Sequence, residues 1–152
     1  MASQTVRQLL ERIQDFHRQL GAFYEATAEQ AARAKAKALL EYMGQHERAL
    51  QACLADYERD ASAKILDTWI QFLPDLEQCQ DFDEVEISKD LSVEDVVRMS
   101  LRFDDCLIRF YREMAEIAVS QDVKEAFESL ARLEEQEERN LTRATLEVVQ
   151  GM

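Results

Sequence analysis

The stretch FDDCLIRFYREMAEIAVSQDVKEAFESLARLEEQEERNL, residues 103–141, decides the fold. Its apolar residues recur at steps of three and four, which is the pattern of helices that bury one face. The same pattern runs through FHRQLGAFYEATAEQAARAKAKALLEYMGQHERAL, residues 16–50. Followed outward from both stretches, it predicts an all-α protein with four long helices, at roughly 4–31, 34–59, 93–120 and 122–148.

The connections between these helices predict how they are arranged. The first and last connections are short, so each helix pair is expected to form an antiparallel hairpin. Residues 60–92 form a long connection that contains the only Trp and the only Pro, with an apolar, helix-like piece from about Ile65 to Phe72. Ser92 is a predicted N-cap for the third helix. A long connection suits a four-helix bundle whose second hairpin is reached by crossing its length, and residues 1–152 are expected to form one domain.

Composition and charge narrow the classes of function. The 31 acidic and 18 basic residues give a net charge of −13, which argues against a nucleic-acid partner and favours a cation. The first residues lack the apolar run of a signal peptide, and no apolar stretch reaches membrane length. We therefore expect neither export nor membrane insertion.

Gly21 and Gly44 lie within helices and are expected to allow a close helix approach.

The three cysteines predict no covalent framework. Cys53, Cys79 and Cys106 are odd in number and have no metal-ligand spacing, so neither a disulfide framework nor a zinc knuckle is expected. Cys53 and Cys106 fall near apolar faces, which favours small core residues over redox thiols. This use of cysteine predicts a reducing cytoplasm.

A few ionisable residues have apolar neighbours three and four positions away and are therefore expected to face the core. Asp105 fails this test because Arg102 and Arg109 share its face. Glu134 passes it, although its neighbour Leu133 competes for the centre of the buried face. Buried carboxylates and imidazoles need hydrogen-bonding partners or a cation. Their mixture of oxygen and nitrogen donors favours iron or manganese. The candidates are His17, His46, Asp104, Glu134 and Glu137.

Together the two stretches resemble the rubrerythrin-like branch of the ferritin-like superfamily. In that family the first and third helices each supply a carboxylate shortly before a Phe-Tyr pair, and here Phe23-Tyr24 and Phe110-Tyr111 are such pairs. The second and fourth helices each supply a Glu-x-x-His motif, and the set holds two metal ions. The resemblance implies a ferritin-like antiparallel four-helix bundle with a long crossover between the second and third helices.

Several of the family's ligand positions are altered in this sequence. His17 stands where the first helix gives a carboxylate, and Asp104 where the third usually gives Glu. Met43 replaces the Glu of the second helix and leaves His46 alone in that motif. The fourth helix keeps the Glu of its motif as Glu134 and has Glu137 in place of the His. The five candidate ligands could hold one ion of iron or manganese, or two with waters, and an ordinary di-iron centre is in doubt.

Two classes of function follow. The resemblance implies a metal-binding protein with a role in oxidant or iron handling, a rubrerythrin-like oxidoreductase with an incomplete di-metal site if it is an enzyme. It would need an external electron donor, because the chain has no Cys-rich iron segment. The alternative is a metal-free interaction or scaffold protein with a buried His and carboxylate network. Tyr24 and Tyr111 are interpreted as packing residues. A homodimer is expected, since four apolar residues of the connection could either cover the bundle or contact a second chain: Ile65, Trp69, Ile70 and Phe72.

Overall fold

The computed structural model describes residues 3–71, 76, 79 and 89–150. Four long helices are present, as predicted, with each end within three residues of the predicted one. The first and second pack against each other, as do the third and fourth, which gives two antiparallel hairpins. In chain order the elements are β1 (Gln4–Thr5), α1 (Val6–Gln30), α2 (Ala34–Asp60), α3 (Ala63–Leu66), β2 (Trp69–Ile70), α4 (Val93–Ile117) and α5 (Gln121–Gln150).

Two of the long helices begin with the same reciprocal cap. The Ser92 hydroxyl accepts a hydrogen bond from the backbone N–H of Asp95, whose carboxylate accepts one from the Ser92 N–H. The predicted start of α4 is therefore confirmed. Thr5 and Gln8 form the equivalent box at α1. Such boxes satisfy backbone donors that have no partner inside the helix, and so fix where each helix starts.

The connection after α2 differs from its prediction. The helix-like piece predicted from Ile65 to Phe72 ends as a helix at Leu66, and Phe72 itself lies outside the described residues. Trp69 and Ile70 are extended instead and pair antiparallel with Gln4–Thr5. The pairing satisfies backbone groups of both segments, which periodicity within one segment does not reveal.

The first hairpin is held close by two glycines. A Cβ on Gly21 would lie 3.3 Å from the carbonyl oxygen of Gly44, and a Cβ on Gly44 would lie 2.8 Å from Cγ of Glu25. The close approach predicted for these glycines is confirmed. It also brings Gly21 next to Glu47, whose Cβ would be 3.4 Å from an added methyl group.

A disulfide joins the crossover to α4, contrary to the prediction. Cys79 and Cys106 are bonded, with Cα atoms 5.6 Å apart. They are 27 residues apart, and no local motif encodes such a pairing. Cys53 is exposed, so the prediction that it is a core residue was also wrong, whereas Cys106 is half-buried and packs against the core. The prediction of a reducing compartment loses one of its grounds.

The apolar residues of the connection mostly cover the bundle. Ile70 is buried and Ile65 is half-buried, whereas Trp69 is 63% exposed. The homodimer stays a prediction. No described helix has an uncharged apolar run long enough to cross a membrane.

Candidate metal centre

Each long helix places one buried histidine or carboxyl side chain near its middle. His17 on α1, Glu47 on α2, Asp104 on α4 and Glu134 on α5 are between 1% and 7% exposed. Three of the four were predicted to face the core, and Asp105 is exposed, as predicted. The bundle therefore concentrates its buried charge at one level.

Glu47 was missed by the sequence reasoning. The test demanded apolar neighbours three and four residues away, which Met43 and Leu50 provide but Gly44 and Gln51 do not. The buried stripe of α2 nevertheless continues through Glu47 at regular helical steps. A search for polar residues that interrupt such a stripe would have found it among Leu40, Met43, Leu50 and Leu54.

His17 lies between two carboxylates from different helices. Its Nδ1 is 2.6 Å from Oε2 of Glu47 on α2. Its Nε2 is 2.9 Å from Oε1 of Glu134 on α5, an ion-pair distance without the alignment of a hydrogen bond. Nδ1 therefore faces α2 and Nε2 faces α5, so His17 on α1 connects three helices.

The surroundings of His17 favour its charged form. Burial lowers the pKa of the imidazole, but Glu134 and Glu47 together outweigh burial and raise the pKa well above its usual value of 6.5. Burial raises the pKa of Glu47; His17 lowers it, but not enough to cancel the effect of burial, and the charge of Glu134 raises it further. A positive ring between two carboxylates offsets part of the free-energy cost of burying all three charged groups inside a bundle.

His46 and Glu137 form a second pair nearer the surface. Their side chains are 26% and 14% exposed, so they lie at the edge of the core rather than within it. His46 Nε2 contacts Oε2 of Glu137, and the imidazole stacks on Tyr42 with ring centroids 5.2 Å apart. These contacts hold the imidazole of α2 against α5.

A small cavity opens beside this second pair. Its volume is about 20 Å³, which is room for one water-sized guest. Donors from α2, α4 and α5 line it, whereas His17 and Glu134 do not. The lining residues are Tyr24, Tyr42, Met43, His46, Glu47, Leu50, Ser100, Asp104, Glu137 and Leu141.

Carboxyl groups outnumber imidazoles at this level of the bundle. Burial, and next the charges of Glu47 and Glu134, raise the pKa of Asp104 well above its usual value. Burial likewise raises the pKa of Glu137. Neither oxygen of Glu134 has a hydrogen-bond partner among the described residues. The excess of carboxyl groups must be relieved by protons or by a cation.

Comparison with known proteins identifies this architecture. No family model and no curated protein matches the sequence. Its structure is similar to a crystal structure from Thermotoga maritima titled "putative ferritin-like diiron-carboxylate protein", with a TM-score of 0.59, 16% identity, and coverage of 97% of this chain and 98% of that one. The chain has the ferritin-like fold. At this identity the likeness shows the fold of the bundle alone, and the rubrerythrin-like branch stays a prediction.

The residues of this ferritin-like bundle do not fit a two-ion centre. The resemblance to rubrerythrin-like proteins implies a bridging carboxylate at Met43, and this side chain offers a thioether instead. The ring of His17 fills the space between Glu47 and Glu134 and directs its nitrogens apart, so these three groups cannot converge on one ion. Within the described ranges no three His, Cys, Asp or Glu side chains already form a metal-binding cluster. The cavity beside His46 is the place where donors and space coincide.

Proposed function

We propose that this ferritin-like protein binds a single metal ion, iron or manganese, in the cavity beside His46. One observation carries the proposal: a small cavity of about 20 Å³ lined by an imidazole and three carboxyl groups from three helices. Carboxyl groups in such surroundings tend to keep their proton unless a cation compensates their negative charge. A divalent ion would relieve the excess of carboxyl groups there.

The donors suit the proposed metals. His46 would supply a nitrogen, and Asp104 and Glu137 would supply oxygens, with Glu47 also lining the cavity. Hard oxygen donors supplemented by imidazole favour iron and manganese over softer metals. His46 and Glu137 are in contact with each other in the structure, so both side chains would have to give up this contact to hold the ion.

An iron or manganese ion held there would supply redox chemistry towards peroxide or oxygen, as the resemblance to rubrerythrin-like proteins implies. The chain's own residues would limit the access of water, because Met43, Leu50 and Leu141 form the apolar part of the lining. Asp104, whose pKa is raised by burial, would hold a proton when no cation is bound. Rubrerythrin-like handling of oxidant or iron, with an external electron donor, is the finer form of this proposal.

Metal content and thermal stability test the proposal together. Untagged protein, purified and reconstituted with Mn²⁺ or Fe²⁺ under anaerobic conditions, is expected to hold one ion and to melt at lower temperature in chelator. At a free metal concentration 100 times the dissociation constant, binding adds about 2.7 kcal/mol to the free energy of unfolding. H46Q and E137Q should abolish the effect, whereas Q45E, an added carboxylate at an exposed position of α2, should not.

A metal-free interaction or scaffold protein is the second candidate. The contacts of His17 with both Glu47 and Glu134 favour it, because they join three helices without any ion. This candidate requires a melting temperature that does not change when chelator or metal is added. It also requires only modest destabilisation by H46Q, since that side chain lies at the edge of the core.

A further inference from the structure

The ring of His17 stands between two buried side chains whose carboxyl groups could otherwise hold a cation. Two buried carboxylates from facing helices, Glu47 and Glu134, lie on opposite sides of it. We infer that the imidazole of His17 occupies the place of a second metal ion and thereby limits the centre to a single ion. The inference rests on the proposed function, because it sets how many ions the centre takes.

The contacts of the ring show why a second ion is excluded. Nδ1 is 2.6 Å from Glu47 and Nε2 is 2.9 Å from Glu134, so each carboxylate already faces a ring nitrogen. The side chain of His17 is 1% exposed, which leaves no solvent-filled space beside it for an ion. An ion between these carboxylates would have to displace the ring from a packed core.

α1 supplies no oxygen donor at the same level. The side chain of His17 brings no carboxylate from α1, whereas Glu47, Asp104 and Glu134 bring one each from α2, α4 and α5. Oε2 of Glu47 and Oε1 of Glu134 face the nitrogens of the imidazole. Substitution of His17 by Glu would remove the ring and add a carboxylate, so it would create both the space and the donor that a second ion needs.

The test is the number of Mn²⁺ ions bound per chain, measured by equilibrium dialysis and elemental analysis. H17E is compared with the wild type, and Q19E is the control, since it adds the same carboxylate to an exposed position of α1. H17E is expected to bind one ion more than the wild type, and Q19E the same number. Melting with and without chelator should show the added ion as a larger shift in H17E.

The outcomes separate this inference from the proposed function. If the wild type binds none and H17E binds one, the proposed function fails, and the part of the inference that stands is that the ring of His17 excludes an ion from its place. A wild type that binds two ions, or an H17E variant that binds no more than the wild type, would overturn the inference.

A second variant keeps the inference testable if H17E does not fold. H17A removes the ring and leaves its space. It should gain one Mn²⁺ that added imidazole displaces, whereas imidazole should leave the metal content of the wild type unchanged. An H17A protein that gains no ion would overturn the inference.

Discussion

His17 Nδ1 lies 2.6 Å from Oε2 of Glu47, and this contact joins α1 to α2 inside the bundle. We expect E47Q to lower the free energy of unfolding by about 3 kcal/mol, because loss of one charge leaves its buried partner without full compensation. Urea denaturation of metal-free protein measures the change. E41Q removes an exposed carboxylate from the same helix and should change stability by less than about 0.5 kcal/mol. Equal effects of the two variants would show that the contact contributes little.

The stability of the metal-free protein should fall as the pH rises. The pKa of His17 is raised in the folded state, so its contribution is complete below its usual value of 6.5 and is lost as the pH passes the folded value. Asp104 also has a raised pKa, so its contribution is complete below its usual value of 3.8 and declines as the pH rises through its folded value. Both groups act in the same direction.

Thermal melts between pH 5 and 8, which span about the usual range of His titration, measure this dependence. H17Q should weaken the fall in stability that the wild type shows above pH 6.5. Saturating Mn²⁺ should oppose the decline, because metal competes with protons for the same donors. Stability that rises with pH in the metal-free wild type would contradict the assigned charge states.

The long helices could be predicted from the sequence because each buries a wide apolar stripe, and those stripes have a regular period. His17, Asp104 and Glu134 interrupt such stripes, so their burial could be predicted as well. Glu47 could not be found by the same test, because Gly44 and Gln51 beside it are not apolar. Its burial depends on how closely α1 approaches α2, which is a property of the pair of helices.

Contacts between distant segments were beyond the sequence reasoning. The pairing of Trp69–Ile70 with Gln4–Thr5 and the bond between Cys79 and Cys106 each join residues that no local pattern relates. The position of His17 between two carboxylates has the same character. Periodicity predicted that the ring is buried, but its partners follow from the packing of three helices.

G21A should destabilise the protein although alanine favours helices. The added Cβ would lie 3.3 Å from the Gly44 carbonyl oxygen and 3.4 Å from Cβ of Glu47, so α1 and α2 would have to separate. Overpacking of this kind costs about 1 to 3 kcal/mol, against a gain of about 1 kcal/mol in helix propensity. Chemical denaturation measures the balance. A net gain in stability would show that the helices can move apart freely.

Thiol counting tests the disulfide. Alkylation of denatured, unreduced protein should label Cys53 alone, and reduction beforehand should expose all three cysteines. Mass spectrometry of both samples gives the count, and peptide mapping identifies the labelled residues. Three labels without reduction would show that Cys79 and Cys106 are thiols under the conditions of purification.

Pulsed electron paramagnetic resonance of Mn²⁺-loaded protein tests the single-ion centre most directly. The chain contains only two histidines, so a nitrogen coupled to the manganese is readily assigned by substitution. We expect coupling from one imidazole nitrogen that disappears in H46Q and persists in H17Q, because His46 lines the cavity and His17 does not. Bound manganese without nitrogen coupling, or coupling that survives in H46Q, would contradict the proposed centre.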